Sequence, residues 1–266
     1  MRNKIDYTRL TALVTGASSG IGEEYARQLA AKGVKLIIVS NERERIVTVA
    51  DDIAATYQVE VTPVYMDLAR TEAAKELYDF CREKGFTVDV LINNAGIFIF
   101  KEVVETAPER IDLIMNLHIC TVTRLCRLFG EDMRKRGSGY ILNMSSLSCW
   151  MPMPGIALYS ATKAYIRVFT RSLWHELHEH GVTAMVACPG GIATSLYNLD
   201  PKLLKLGVRI GVLMTPKRLV RKALRRLFKG KKQIIPGLIN RIFVPIVPLL
   251  PNALIRFGKH KLLKQS

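Results

Sequence analysis

Short apolar runs rich in β-branched residues alternate with segments of helical length along most of the chain. The strand candidates are Thr11–Thr15, Val34–Ser40, Val59–Met66, Val88–Asn93, Gly139–Met144, Val182–Cys188 and Gln233–Ile235. Strands that alternate with helices usually form a parallel sheet that is covered on both faces. The pattern therefore predicts an α/β fold with a doubly wound, seven-stranded parallel sheet.

Helical periodicity separates the strand candidates. Between the first two strands Ile21, Tyr25 and Leu29 recur every four residues, and Gly33 follows where a helix cap belongs. This segment reads as one complete βαβ unit. Two longer helices are predicted over 108–136 and 159–180, where the second also precedes a glycine.

The alternation weakens after Pro189. Residues 195–232 predict a loop followed by a basic amphipathic helix, and residues 242–255 form an uncharged stretch that contains three prolines. A membrane span needs about 20 residues and disfavours clustered prolines, so this stretch predicts an apolar cover over a pocket or an interfacial contact. We expect one domain over 1–266, in which 195–266 form a substrate lid and a basic C-terminal extension.

The net charge of +16 is concentrated at the C-terminus. Asp200 is the last acidic residue, and residues 201–266 hold 17 Lys and Arg, whereas residues 1–200 carry 22 basic and 23 acidic side chains. A field of one sign attracts anionic partners, although a solvated helix face fits equally well. With few aromatics and no recognised reading motif there, no nucleic acid is predicted, and weak contact with an anionic membrane surface stays open.

The cysteines bear on the compartment. Five cysteines lack the paired spacings of a metal knuckle or a redox pair, so no metal site is predicted, and they read as buried thiols. Residues 1–10 are polar and resemble no secretory signal. We expect a cytoplasmic location, with peripheral membrane contact open.

A glycine-rich turn joins the first strand to the first helix. Its residues follow the spacing Gly-x-x-x-Gly-x-Gly and include Gly16, Ser18, Ser19, Gly20, Ile21 and Gly22. Glycines permit a tight turn and close backbone approach, and the N–H groups at a helix start attract a pyrophosphate. Many such turns serve steric needs only, but the surrounding βαβ unit predicts a Rossmann-like dinucleotide site.

The end of the second strand predicts which nicotinamide dinucleotide binds. A carboxylate there accepts hydrogen bonds from ribose hydroxyls and repels a 2′-phosphate. Ser40 and Asn41 carry no charge and can hydrogen-bond a phosphate, and Arg43 or Arg45 is near enough in sequence to supply charge, unless both only begin a solvated helix. This favours NADP(H) over NAD(H), although Glu42 and Glu44 oppose the assignment.

Further candidates follow the third and fourth strands at the same predicted edge. Asp67 could hydrogen-bond the adenine amine, with Leu68 beside it, and the fourth strand ends in the sequence Asn93, Asn94, Ala95 and Gly96. Ligands of open α/β sheets bind along the carboxyl edge. The asparagines are also suited to fixing turns, in addition to contacting a cofactor.

A tyrosine and a lysine form the candidate proton-transfer group. Tyr159 and Lys163 are four residues apart in a predicted helix, so they share one face, and Ser146 ends the fifth strand. A phenol is a poor base at neutral pH, but a neighbouring ammonium lowers its pKa toward the working range. Ser146 would hydrogen-bond a substrate oxygen while a nicotinamide exchanges the hydride.

Taken together, these motifs resemble the classical branch of the short-chain dehydrogenase/reductase family, over about residues 11–196. The resemblance implies a catalytic tetrad of Asn116, Ser146, Tyr159 and Lys163, in which the asparagine holds a water that links the lysine to solvent. It also implies that cofactor contacts continue at Pro189, Gly190, Ile192 and Thr194. Members of the family usually form dimers or tetramers through two long helices, so a homodimer or homotetramer is expected.

Two departures from the family pattern matter. Members that prefer NADP(H) often carry a basic residue where this chain has Ser19 or Asn41. The C-terminal extension resembles a subgroup that includes membrane-associated 3-oxoacyl-CoA reductases and hydroxysteroid dehydrogenases, which implies a lipophilic substrate.

The leading functional hypothesis is interconversion of a ketone and a secondary alcohol on a hydroxysteroid or bile acid. The alternatives are reduction of a 3-oxoacyl thioester and, in another class, a non-catalytic cofactor-binding sensor or membrane-surface scaffold. Residues 198–215 are the candidate lid, and the candidate substrate contacts are Ser146, Leu147, Cys149, Trp150, Met151, Met153 and Tyr197. For any one of them, ordinary core packing is an equal explanation.

Overall fold

A computed structural model describes residues 5–151, 153–193, 213–237, 240–242 and 244. Seven parallel strands form one sheet in the order β3-β2-β1-β4-β5-β6-β7. The strands are β1 Thr11–Thr15, β2 Lys35–Ser40, β3 Val61–Tyr65, β4 Val90–Asn93, β5 Gly139–Met144, β6 Val182–Ala187 and β7 Gln233–Ile234. The doubly wound sheet predicted from the sequence is confirmed, and each strand matches its predicted run to within two residues at either end.

Helices connect consecutive strands and cover both faces of the sheet. They are α1 Gly20–Ala30, α2 Arg43–Tyr57, α3 Ala73–Glu83, α4 Pro108–Met115, α5 Thr121–Arg136, α6 Ala157–His178 and α7 Pro216–Leu227. Because β1 lies between β2 and β4, the chain reverses its direction of winding there. This reversal opens a crevice at the carboxyl edge of the sheet.

Alternate strand residues supply two separate apolar cores. In β1, Ala12 and Val14 face the core shared with α1, α2 and α7, whereas Leu13 faces the core shared with α3, α5 and the end of α6. All three side chains are fully buried. Strands buried on both faces explain why the sequence shows continuous apolar runs and not alternation.

The first long helix differs from its prediction. A π-helical turn, Asn116–Cys120, separates α4 from α5, and the Thr121 N–H reaches back to the Asn116 carbonyl. Such a turn carries one more residue than an α-helical turn, and these insertions are frequent at functional sites. From the candidate residue Asn116 onward, side chains therefore point in directions that differ from those of an uninterrupted α-helix.

The predicted basic amphipathic helix is α7. Its apolar side is buried against the sheet by Leu219, Leu224 and Leu227, and its basic side is exposed. No helix among the described residues is both long enough and apolar enough to span a bilayer. The predicted lid and the apolar stretch at 242–255 lie almost entirely outside the described residues.

Gly181 is predicted to be a strong determinant of stability. It has φ +74°, and an added Cβ would lie 2.0 Å from the Gly137 carbonyl oxygen. Gly181→Ala therefore combines left-handed strain with a backbone clash, and we expect it to lower the free energy of unfolding by about 2–4 kcal/mol.

Gly85→Ala is the matched control for that change. Gly85 has φ +69°, but an added Cβ would contact nothing within 4 Å, so only the conformational strain remains. Thermal unfolding of both variants measures the difference. Equal melting temperatures would contradict the assigned clash.

Candidate active site

A cavity of about 320 Å³ lies along the carboxyl edge of the sheet, across the point where the winding reverses. Volumes of this size suit a small ligand or part of a dinucleotide. Most of the residues predicted for the cofactor line it: Gly16, Ser18, Ser19, Gly20, Ile21, Ser40, Asn41, Asp67, Leu68, Asn94, Ala95, Gly96, Tyr159, Lys163, Pro189, Gly190 and Ile192. Ser146 lines the same cavity.

Close backbone packing explains the glycines of the turn. An added Cβ at Gly16 would lie 2.8 Å from the Ala95 Cα, and one at Gly22 would lie 2.0 Å from the Gly16 carbonyl oxygen. Gly22 does not line the cavity but lets α1 approach the turn. The Asn94 side-chain amide donates to the carbonyls of Thr15 and Gly16, at 3.0 and 3.2 Å. The asparagine therefore fixes the turn, as its second role predicts.

The turn fits a pyrophosphate. Gly16 and Gly20 have φ +65° and +59°, a conformation that directs successive N–H groups toward the cavity side of a turn. At the start of α1, Ser19 forms no side-chain capping hydrogen bond within the described residues. Donors at a helix start that lack a side-chain cap suit an anionic ligand.

A hydrogen-bonded ring of three residues occupies the cavity beside the end of β2. Ser40 Oγ donates to Ser18 Oγ at 2.9 Å, Ser18 Oγ donates to the Glu42 carboxylate at 2.5 Å, and the Glu42 N–H donates to Ser40 Oγ at 3.1 Å. Glu42 itself lines the cavity. The acid therefore turns back into the space where the sequence favoured a 2′-phosphate.

Arg43 does not line the cavity. Its guanidinium lies over the Tyr65 ring, 4.3 Å from the centroid, because Arg43 begins α2 and points toward β3. The Arg45 guanidinium is 3.9 Å from the carboxylate of Glu42, which lines the cavity.

Asp67 and Leu68 lie at the cavity edge after β3. The Asp67 carboxylate accepts a hydrogen bond from the Ala69 N–H at 2.9 Å, and the Leu68 carbonyl accepts one from Thr121 Oγ1 at 2.7 Å. The first bond closes the turn within the loop, and the second fixes the loop against α5. An Asp67 oxygen that is not used in this turn remains for a ligand.

Tyr159 and Lys163 lie one turn apart near the start of α6, as their spacing predicts. Both are buried, and the Lys163 Nζ is 5.5 Å from the centroid of the Tyr159 ring. The Nζ donates to the Met144 carbonyl at 3.1 Å, and the Phe98 ring packs edge-on against Tyr159 at 5.0 Å. The phenol ring therefore lies between a basic group and an apolar wall.

Burial changes the protonation equilibrium of Lys163. It lowers the pKa of Lys163 to about 8, because surroundings of low polarity disfavour an ammonium. Ser145 Oγ donates to the Lys163 carbonyl at 2.7 Å, so the end of β5 fixes this part of α6. A second basic or acidic group that enters the cavity would therefore change the protonation of Lys163 strongly.

Ser146 follows β5 at the cavity. Its Oγ accepts a hydrogen bond from the Ser148 N–H at 3.2 Å, which leaves the hydroxyl proton for a ligand oxygen. The next residue, Leu147, donates its N–H to the Pro189 carbonyl at 2.7 Å and fixes the turn against the end of β6. Asn116 begins the π-helical turn, directly before Leu117, which lines the cavity.

Among the described residues, the other predicted substrate contacts do not line this cavity. Leu147, Cys149 and Trp150 belong to a short 3₁₀ turn, in which Cys149 and Trp150 pack against Ile166 and Cys188. Met151 and Met153 follow this turn and are partly buried. Thr194 and Tyr197 lie outside the described residues.

Six residues that were not predicted as contacts also line the cavity: Glu42, Met66, Ile97, Leu117, Met144 and Ser145. Five of them are next to a predicted residue along the chain, and Met144 lies two residues before Ser146. Carboxyl-edge positions could have been extended by one or two residues to find most of them.

Comparisons with known proteins agree with this geometry. Residues 10–202 match the family model of short chain dehydrogenases. A very-long-chain 3-oxoacyl-CoA reductase of Anas platyrhynchos is 34% identical over 195 residues, which are 71% of this chain and 62% of that protein. Inactive hydroxysteroid dehydrogenase-like protein 1 of Homo sapiens is 34% identical over 189 residues, 70% of this chain and 56% of that protein.

The chain thus spans less than two thirds of the length of these curated relatives. Among solved structures, a short-chain dehydrogenase from Sphingobium yanoikuyae in complex with NADPH superposes with a TM-score of 0.78 and 27% identity. That match covers 97% of this chain and 96% of the other. With its sheet order, glycine turn and Tyr–Lys pair, the chain belongs to the short-chain dehydrogenase/reductase family.

Proposed function

We propose that this chain interconverts a ketone and a secondary alcohol on a lipophilic substrate, with a nicotinamide dinucleotide as hydride carrier. The observation that carries the proposal is that Ser146, Tyr159 and Lys163 line the same cavity as the glycine turn. Each feature alone is common in proteins. Together they surround one space with a proton-transfer group, a hydroxyl donor and a pyrophosphate cradle.

In the proposed reaction Tyr159 transfers the proton. Lys163, as an ammonium, favours the phenolate and so lowers the phenol pKa, and Ser146 donates a hydrogen bond to the substrate oxygen. A bound nicotinamide supplies or accepts the hydride at the carbon that carries this oxygen. The family resemblance assigns Asn116 a water that links Lys163 to solvent.

The surroundings of Tyr159 support a lipophilic substrate. Ile97, Leu117 and Met144 line the same cavity with apolar side chains. Hydroxysteroids and bile acids match such a wall, and they remain our first candidate. The second candidate is a 3-oxoacyl thioester, which is supported by the name of the Anas platyrhynchos relative.

A non-catalytic role is the alternative of another class, and the name of the human relative raises it. This chain keeps Asn116, Ser146, Tyr159 and Lys163. A sensor or scaffold that only binds a cofactor has no chemical need of all four. Turnover is therefore the better supported role.

For the cofactor we propose NADP(H). Ser40 Oγ donates to Ser18 Oγ, and Ser18 Oγ already donates to an anion, the Glu42 carboxylate. A 2′-phosphate would take the place of this carboxylate on Ser18, while Glu42 turns toward Arg45, 3.9 Å away. Glu42 then opposes NADP(H) by competition and charge repulsion, but it does not abolish the site.

Assembly, location and the lid are parts of the same proposal. On α6, Val168 is 59% exposed and Tyr165 is 37% exposed, which supports a homodimer or homotetramer through the long helices.

The five unpaired thiols support a reducing, cytoplasmic compartment. The exposed basic side chains of α7, among them Arg221, support weak contact with anionic membranes. Residues 195–266 would include the substrate lid.

Tyr159→Phe should lower kcat by at least about 100-fold, because it removes the transferred proton and keeps the ring. The assay follows absorbance of reduced cofactor with steroid ketones, bile acids and 3-oxoacyl thioesters, each with NADPH and NADH. Tyr165→Phe on the same helix is the control and should keep full activity. Full activity of Tyr159→Phe would overturn the mechanism, and wild-type protein inert toward all three classes would favour the scaffold.

Adenosine 2′,5′-bisphosphate should bind the wild-type protein more tightly than 5′-AMP in calorimetric titrations. Glu42→Gln should strengthen binding of the bisphosphate by roughly 3-fold to 10-fold and leave 5′-AMP unchanged, because it removes the competing charge. Glu44→Gln, the matched change of an exposed acid on α2, should alter neither value. Tighter binding of 5′-AMP by the wild type would point to NAD(H).

A further inference from the structure

His118 is buried within the catalytic region, although the proposed proton transfer does not use it. It lies two residues after Asn116 in the π-helical turn and is 0% exposed. Both ring nitrogens have partners. Its Nε2 is 3.1 Å from the Ile97 backbone nitrogen, and its Nδ1 is 2.9 Å from Thr162 Oγ1.

These partners fix the tautomer of the imidazole. A backbone N–H can only donate, so the Nε2 that faces Ile97 must carry a lone pair. Thr162 Oγ1 donates its own proton to the Tyr159 carbonyl at 2.9 Å, so it must accept from the Nδ1 side. His118 is therefore a neutral imidazole with its proton on Nδ1.

The electrostatic surroundings agree with the neutral form. Burial, and next the charge of Lys163, hold the pKa of His118 well below its usual range. A proton on Nε2 would oppose the Ile97 N–H and place a second cation beside Lys163. The geometry and the charges thus exclude the same state.

The hydrogen bonds of His118 join three segments that line or approach the cavity. Ile97 follows the fourth strand, Thr162 lies between Tyr159 and Lys163 on α6, and His118 itself sits in the turn that begins at Asn116. The imidazole packs edge-on against the phenol ring, with centroids 5.9 Å apart.

The loop that contains Gly96 packs closely against His118 and Lys163. An added Cβ at Gly96 would lie 2.9 Å from the His118 Nε2 and 3.6 Å from the Lys163 Nζ. The loop backbone therefore leaves no room for a methyl group between Gly96 and the imidazole, and Lys163 lies close by. A shift of the imidazole would move both the loop and the start of α6.

We propose that His118 is a positioning residue, which holds the loop at Ile97 and the carbonyl end of Tyr159 in register through one neutral, Nδ1-protonated ring. The inference rests on the proposed function for its kinetic consequence, but the tautomer does not depend on it. Displacement of a reacting group by about 1 Å can cost 100-fold in rate. The placement of the Tyr159 segment by His118 is therefore expected to affect kcat.

The first test observes the ring itself. Nitrogen NMR of the ligand-free full chain, with its five histidines labelled in the ring, should show one imidazole that stays neutral with its proton on Nδ1 from about pH 5 to pH 8. His118→Phe should remove that signal. A proton on Nε2, or titration near the ordinary value of about 6.5, would overturn the inference whether or not the protein has activity.

The second test separates positioning from simple stability. His118→Phe and Thr162→Val each break the hydrogen-bonded chain from Ile97 through His118 and Thr162 to the Tyr159 carbonyl, and each should lower kcat by about 10-fold to 100-fold, with a smaller change in KM. The acid limb of the kcat/KM profile for alcohol oxidation should move to higher pH, because the phenol loses its alignment with Lys163. His118→Gln, which can still accept from Ile97, should recover part of the loss.

Thr170→Val is the matched control. Thr170 is also 0% exposed on α6, and its hydroxyl donates to the Ile166 carbonyl at 2.6 Å, two turns beyond the cavity. It should lower the melting temperature and leave kcat and the pH profile unchanged. If Thr162→Val behaved in the same way as Thr170→Val, His118 would have only a structural role.

Discussion

A buried lysine beside a buried phenol is the constraint on which the candidate site depends. Lys163 is 5% exposed, and within the part of the chain that the structure describes its Nζ hydrogen-bonds the Met144 carbonyl and no carboxylate. An ammonium without a fully charged partner is expensive to bury, and the lowered pKa of Lys163 expresses that cost. The same cost makes any nearby anion favourable, including a phenolate on Tyr159.

The end of β5 and the loop after β4 hold this pair in place. The end of β5 contributes the Met144 carbonyl and Ser145 Oγ, which bind Lys163 and its backbone. The loop after β4 is tied to the glycine turn by Asn94 and to the π-helical turn by His118. A parallel sheet brings these strand ends to one edge, so residues far apart in the chain share one rigid frame.

Much of this arrangement could be predicted from the sequence, because it follows local rules. Strand runs, the helix between β1 and β2, and the four-residue spacing of Tyr159 and Lys163 each depend on neighbours in the chain. The Glu42 side chain turns toward Ser18 because of contacts between separate segments of the chain. The sequence therefore showed that an acid follows β2, but not where its side chain points. A Ser-x-Glu pattern after a strand is the signal that could have raised the alternative.

His118 and Cys149 show the same limit. His118 lay inside what the periodicity predicted as one continuous helix, whereas in the structure it belongs to a π-helical turn and packs against the phenol ring. Cys149 follows Ser146 by three residues, but a 3₁₀ turn packs it against Cys188 and away from the cavity lining. Sequence spacing determines which residues are near the site, and the turn geometry determines which of them face it.

The most direct test of the central claim is the ionisation of the Tyr159 phenol. The chain has nine tyrosines, so an ultraviolet titration of the wild type minus that of Tyr159→Phe isolates one of them. We predict that this phenol ionises well below the ordinary value of about 10, and that Lys163→Met returns it to that value or higher. A Tyr159 phenol that ionises near 10 with Lys163 present would contradict the account.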